Sequence, residues 1–129
     1  MPLIAPSAAA QVSAQAVLPT DGVVTAGSAS ISHPSGTSLQ VDQSTDMAIV
    51  DWTSFSIAEG HSVYFNQPGT YSATLNRVSG DTSSTIAGSL TATGRVLLVN
   101  PNGIAITESG TVDAGAFVAS TLDIADADF

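Results

Sequence analysis

Val96-Leu97-Leu98-Val99 is a run of four apolar residues with sharp boundaries: Thr93-Gly94 lies just before Arg95, and Asn100-Pro101-Asn102-Gly103 follows at once. Such a run is too short for a helix, and consecutive apolar positions need cover on both faces, so it reads as a buried strand rather than a one-sided surface strand. The strand ends abruptly. Asn-Pro biases Asn100 toward extended backbone, Pro101 presets φ at the first turn corner, Asn102 tolerates the second, and Gly103 accepts the exit. Ile104-Ala105-Ile106 then opens another strand. Taken alone, this is a turn that any β protein could contain, so its weight depends on the flanking sequence.

From Leu18 onward the chain repeats that texture. Val23-Val24-Thr25-Ala26, Ala29-Ser30-Ile31-Ser32, Ser38-Leu39-Gln40-Val41 and Met47-Ala48-Ile49-Val50 have strand composition, with turns expected at Asp21-Gly22, His33-Pro34-Ser35-Gly36 and Ser44-Thr45-Asp46. No segment sustains a helical period. Aromatics make up 5% of the residues, so the core must come mainly from Val, Ile, Leu and Ala. Trp52, Phe55 and Ile57 are the bulkiest cluster and read as packing anchors; a Trp beside a Phe could also be a carbohydrate platform, but core is the commoner use. Val63, Phe65, Leu75, Val78, Ile86, Leu90, Val96, Leu98, Ile104, Ile106, Val112, Phe117 and Leu122 recur in clusters without a strict repeat. Asn66, Asn76, Asn100 and Asn102 are expected to stack or cap at successive corners, where an amide can bond neighbouring backbone.

Read outward from the turn, ordered blocks carry a family resemblance. Trp52 to Ile57, Val63-Tyr64-Phe65-Asn66-Gln67-Pro68, Leu75-Asn76-Arg77-Val78, Ile86-Ala87-Gly88-Ser89-Leu90, Asn100-Pro101-Asn102-Gly103-Ile104 and Val118-Ala119-Ser120-Thr121 occur in that sequence. Together they resemble the amino-terminal secretion (TPS) domain of two-partner-secretion exoproteins of the filamentous-haemagglutinin type, over roughly Leu18 to Phe129. The resemblance implies an all-β fold, a right-handed parallel β-helix (β-solenoid) whose early short strands cap one end. It also implies the function: addressing a large adhesin, haemagglutinin or haemolysin to an outer-membrane transporter and nucleating its folding. The periplasmic polypeptide-transport-associated domains of that transporter are the implied partner, and the cell surface or exterior of a Gram-negative bacterium the destination. Some members carry a second signature, NPNL; the comparable place here reads Asn66-Gln67-Pro68-Gly69, which keeps the turn character but not the motif. Met1 to Val17 is expected to be a flexible leader or signal remnant, residues 18–129 the domain, cut short at its carboxyl end.

Charge narrows the partners further. The sequence has no Lys, only Arg77 and Arg95 against eleven acids, for a net charge of −9. Nucleic acid and anionic membranes both call for a basic footprint, so a basic protein groove fits better. Arg77, set among core residues, is expected to pair with a carboxylate such as Asp81 or Asp51, with contact to the partner as the second reading. His33 and His61 read as exposed turn residues rather than metal ligands. Without Cys there is no thiolate site, and no G-x-S-x-G elbow or G-G-x-G-x-D calcium repeat is present. Almost all of the acids sit at Gly, Ser or Thr turns, so no enzyme, cofactor or metal is expected, and the chain is expected to be monomeric. A stand-alone β-solenoid adhesin or surface-binding module is the competing reading; Thr91-Ala92-Thr93 supplies one Thr-x-Thr triplet where an ice-ordering face would need a ladder.

Overall fold

The computed structural model describes residues 17–122. Met1 to Ala16, nearly all of the expected leader, lie outside the described residues, as do Asp123 to Phe129. The described chain forms twelve strands: β1 (Val23–Ala26), β2 (Ala29–Ser35), β3 (Ser38–Gln43), β4 (Met47–Trp52), β5 (Ser62–Asn66), β6 (Ala73–Val78), β7 (Ser84–Ile86), β8 (Ser89–Ala92), β9 (Arg95–Val99), β10 (Ile104–Ile106), β11 (Thr111–Asp113) and β12 (Ala116–Ser120). Three stacks result. β3, β5, β8 and β11 pair in parallel as one face, and β4, β6, β9 and β12 as a second. β10 on β7, with an isolated bridge from Ile57 to Ile86, makes the third. The chain visits the faces in turn and climbs one rung per circuit, which makes a parallel β-solenoid.

The absence of a textual repeat has a direct cause in the register. Ser38, Ser62, Ser89 and Thr111 occupy one column, at successive offsets of 24, 27 and 22 residues. Loops between strands absorb the differences, so only the strands superpose. Within β3 the alternation of half-buried and buried residues turns Leu39, Val41 and Gln43 inward. Register then extends these positions into core columns: Leu39, Val63, Leu90 and Val112, or Val50, Asn76 and Leu98. The three large rings meet at the first two rungs. Trp52 and Phe55 meet edge to face at 5.7 Å, and Phe55 stacks on Phe65 at 6.5 Å. All three are buried, and full burial of each such side chain stabilises by roughly 1.5–3 kcal/mol. Val96 and Leu98 join them in the core. Leu75 does not: with Ile49 and Val99 it forms a second buried cluster, on the side of the β4-β6-β9 sheet opposite Val50 and Leu98.

Among the described residues, antiparallel pairing occurs only at the amino end of these stacks. β1 runs against β4 and β2 against β3, which closes the first rung. Gly22 enters this cap in contact with the indole; a Cβ there would lie 2.6 Å from a Trp52 ring carbon. The turn expected at His33 to Gly36 is displaced: β2 continues through Ser35, and the turn is at Gly36-Thr37. Pro34 is tolerated because β2 is an edge strand and its register slips between Ser32 and Ser35. His33 is therefore an exposed strand residue. At the other end Ile104, Val112 and Phe117 are only partly buried, while Ile106 and Leu122 are exposed. Among the described residues no strand stacks beyond β10, β11 or β12.

Asn76 is the one amide on the core side of β6, and its Oδ1 accepts the Trp52 indole N–H at 2.9 Å. Replacing it with Ala strands a buried donor and opens a small void. Asn76→Ala should lower unfolding free energy by about 1–3 kcal/mol in denaturant titrations, whereas the exposed Thr91→Ala should stay within about 0.5 kcal/mol. Equal midpoints for the two variants would show that the indole contact contributes nothing.

Candidate functional site

The turn after β9 is closed by its own backbone and by both of its asparagines. Gly103 N–H donates to the Asn100 carbonyl at 3.0 Å, the hydrogen bond of a β-turn. Asn100 is fully buried. Its Nδ2 donates to the Thr82 carbonyl at 3.0 Å and to Ser84 Oγ at 2.9 Å, both on the preceding rung. Its Oδ1 accepts from the Asn102 N–H at 2.9 Å and from Asn102 Nδ2 at 3.0 Å. Its own N–H donates to the Ser120 carbonyl on the following rung at 3.0 Å. One side chain and its backbone thus hold three successive circuits together. Asn102 is exposed, yet its Nδ2 also donates to the Gly80 carbonyl at 2.8 Å. Pro101 is exposed at the first corner. Gly103 has φ of 116°, in the region that favours glycine, and Ile104 begins β10, half-buried against the core.

The place comparable to the second signature is built by one residue of its pair. Gln67 is buried, and its Oε1 accepts the Gly94 N–H at 2.6 Å. Its Nε2 donates to the Arg95 carbonyl at 2.9 Å and to Thr74 Oγ1 at 3.0 Å. Thr74 in turn donates to Gln43 Oε1, whose Nε2 reaches the Thr45 and Ala73 carbonyls. Asn66 instead faces out, donating to Asp42 Oδ1 at 3.0 Å. With Gln40 donating to the same oxygen, Asp42 is held below its ordinary carboxylate pKa, the Gln40 bond being the larger cause. The expected row of four corner asparagines is therefore a row of two: Asn66 and Asn76 lie in strands, because their amides serve an outer ladder and an indole. The Gln43–Thr74–Gln67 network escaped sequence reading, although Gln43 at the third inward position of the Leu39, Val41 alternation was a visible sign.

Arg77 stands beside Asp51 in the β4–β6 register and Val78 is buried in the core, so the Leu75-Asn76-Arg77-Val78 block lies on one strand with its members facing alternate sides. Arg95 donates through Nη2 to the Tyr71 carbonyl at 2.6 Å. His61 lies in the turn before β5, Nδ1 3.3 Å from the Glu59 carbonyl oxygen. The Thr-x-Thr triplet is not part of a ladder: Thr91 has Tyr64 and Asp113 as its column neighbours. What these residues offer chemically is hydrogen bonding between rungs.

Comparison with known proteins gives a consistent picture. The family model described as the TPS secretion domain matches residues 15–129. A heme/hemopexin-binding protein of Haemophilus influenzae strain Rd is 39% identical over 107 residues, 83% of this chain and 12% of that protein. A second Haemophilus influenzae protein of the same name is 37% identical over 98 residues, 76% of this chain and 11% of its own length. The crystal structure of the HMW1 secretion domain from Haemophilus influenzae superposes with a TM-score of 0.80 at 35% identity, covering 84% of this chain and 29% of that one. The chain thus spans about an eighth of the length of the curated relatives it matches.

Two expectations follow from the turn and one from the outer ladder. A Cβ at Gly103 would meet only Ser83 Cβ at 3.7 Å, so any cost of substitution there comes from φ and not from crowding. Gly103→Val should destabilise by about 1–3 kcal/mol in thermal or denaturant unfolding; an unchanged midpoint would mean the turn relaxes freely. Asn100→Ala should cost more than Asn102→Ala, about 2–3 against about 1 kcal/mol, because only the first removes a fully buried amide and leaves the buried Ser84 hydroxyl without it. The reverse order would remove Asn100 from the centre of the clamp. Asn66→Ala should raise the Asp42 pKa toward the ordinary value, read by NMR titration. Since Asp42 titrates low in the fold, the stability it contributes is present above its unfolded pKa and fades as pH falls through the folded one. The cost of Asn66→Ala should therefore be seen at neutral pH and vanish in acid.

Proposed function

The chain belongs to the TPS secretion-domain family, and from that premise we propose that its Asn100-to-Ile104 turn is read by the transporter before the turn closes. The domain addresses an exoprotein for two-partner secretion from a Gram-negative cell, and its working partner is a TPS transporter. The family is one of secretion domains and not of enzymes. In our reading residues 18–129 are the unit that is addressed, and it acts as a monomer and without catalysis. It reaches the transporter's polypeptide-transport-associated domains in the periplasm, unfolded or partly folded, and crosses the outer membrane to fold outside.

The observation that carries this reading is the engagement of Asn100. Every polar group of its side chain is bonded inside the fold and the residue is fully buried, so a folded domain offers a partner nothing of it. In an extended chain the same amides are free to bond elsewhere. Strand addition at a sheet edge would supply backbone pairing with little sequence information, and side-chain charge would supply selectivity and encounter rate. At net charge −9 that attraction calls for a basic groove. Leu75 to Val78 and Asn66-Gln67 would be secondary contacts in the same extended state.

Titrating the purified domain, folded and denatured, against the transporter's periplasmic region tests this. Binding should favour the denatured chain and weaken steeply with salt, as the Debye length falls from ~30 Å at 0.01 M to ~8 Å at 0.15 M. Asn100→Ala should weaken it further. Salt-independent binding, or tight binding to the folded domain alone, would point to a preformed docking surface instead.

A further inference from the structure

Among the four asparagines of the sequence, only Asn102 is followed by glycine; Asn66 precedes Gln67, Asn76 precedes Arg77, and Asn100 precedes Pro101, which has no N–H. Without a Cβ, a glycine lets its backbone nitrogen approach the preceding side-chain carbonyl closely. Asn-Gly is therefore the pairing in which an asparagine most readily cyclises onto the backbone. The folded turn opposes this at both reacting groups. The attacking nitrogen, Gly103 N, has its hydrogen committed to the Asn100 carbonyl at 3.0 Å. The departing amide, Asn102 Nδ2, is held by the Gly80 carbonyl at 2.8 Å and by Asn100 Oδ1 at 3.0 Å. Exposure of Asn102 leaves water available, so these bonds and not burial provide the protection.

We infer that Asn102 is a spontaneous deamidation site, open in the unfolded chain and closed when the turn folds. In the step, deprotonated Gly103 N bonds to Asn102 Cγ, the Cγ–Nδ2 bond breaks, and ammonia leaves with the proton. Water then opens the resulting cyclic imide. Cleavage at Cγ leaves an aspartate with the backbone intact; cleavage at the main-chain carbonyl leaves an isoaspartate, whose backbone runs through the side chain. Neither product keeps the Nδ2 donor, and each carries a new carboxylate, on the side chain in aspartate and on the former main-chain carbonyl carbon in isoaspartate. A carboxylate cannot donate to the Gly80 carbonyl and is repelled by that oxygen and by Asn100 Oδ1. A chain that dwells unfolded therefore loses the ability to close this corner well. The inference is independent of which partner reads the turn.

The test uses the full chain, incubated in native buffer and in guanidinium chloride at the same pH and temperature, with peptide mapping by mass spectrometry. Conversion should occur at Asn102, and should be at least about tenfold slower in native buffer, since only locally opened molecules react. Asn102→Gln should remove the acidic product in denaturant. Asn100→Ala, which releases one hold on Nδ2, should speed conversion in native buffer and leave the denatured rate unchanged. After refolding, the converted fraction should melt lower than the unconverted. Equal rates in the two buffers, an Asn100→Ala rate no faster than the parent, or conversion chiefly at another asparagine would each overturn the inference.

Discussion

Side-chain amides inserted into the backbone of neighbouring rungs hold this solenoid at its corners. Along the strands, parallel ladders satisfy main-chain groups without help, but where the chain bends the carbonyls and N–H groups point away from the ladder and must be met otherwise. A primary amide suits the task because it presents donors and an acceptor in one plane, as a peptide group does. Asn100 serves the corner after β9, Gln67 the corner after β5, and Gln43 the one after β3. Each bond contributes only about 1 kcal/mol net. The larger effect is the penalty avoided, since these partners are largely removed from water and an unmet buried carbonyl costs more than a met one gains.

The amino end of the stack is built differently from the rungs that follow it. At the amino end, antiparallel β1 and β2 lie over the first rung, with Gly22 seated on Trp52 and Leu18 buried in the same core. The largest aromatic contacts are in that region, so hydrophobic burial is greatest where the cap sits. The column of Leu98, which is fully buried, continues to Ala119 on the next rung. In a stack held by nearest-neighbour contacts, the capped end offers a folding nucleus the most buried aromatic surface.

Legibility of the fold followed the same physics. β1 was readable to the residue from Val23-Val24-Thr25-Ala26, because a short β-branched run between turn residues has few alternatives. β2 was read short because Pro34 signals a turn, and nothing local reveals that an edge strand with a register slip can carry it. The turn at Asn100 to Gly103 was legible from its dipeptides, and the positive φ at Gly103 agrees with them. Which circuit Asn100 bonds was not, since Thr82 and Ser84 become its neighbours only through the register of β10 on β7. Asn76 misled for a related reason. Asparagine is a common corner residue, but the environment of this one is set by Trp52, a rung away.

The buried amide at position 100 also constrains when a partner could use it. A contact available only in the unfolded chain opposes folding for as long as it lasts, by RT ln(1 + [L]/Kd) for a partner at concentration [L]. That amounts to about 2.7 kcal/mol when the partner stands at a hundred times its Kd, against a typical domain stability of roughly 5–15 kcal/mol. A single weak site therefore cannot keep a complete domain open, but it can hold open a chain whose later rungs have not yet stacked. Asn100 accepts no full set of partners until Thr82 and Ser84 on one side and Ser120 on the other are in register, so its clamp forms late. Completion of the rung below and the rung above is what would withdraw the amide from the partner, and release becomes a consequence of folding that requires no separate signal.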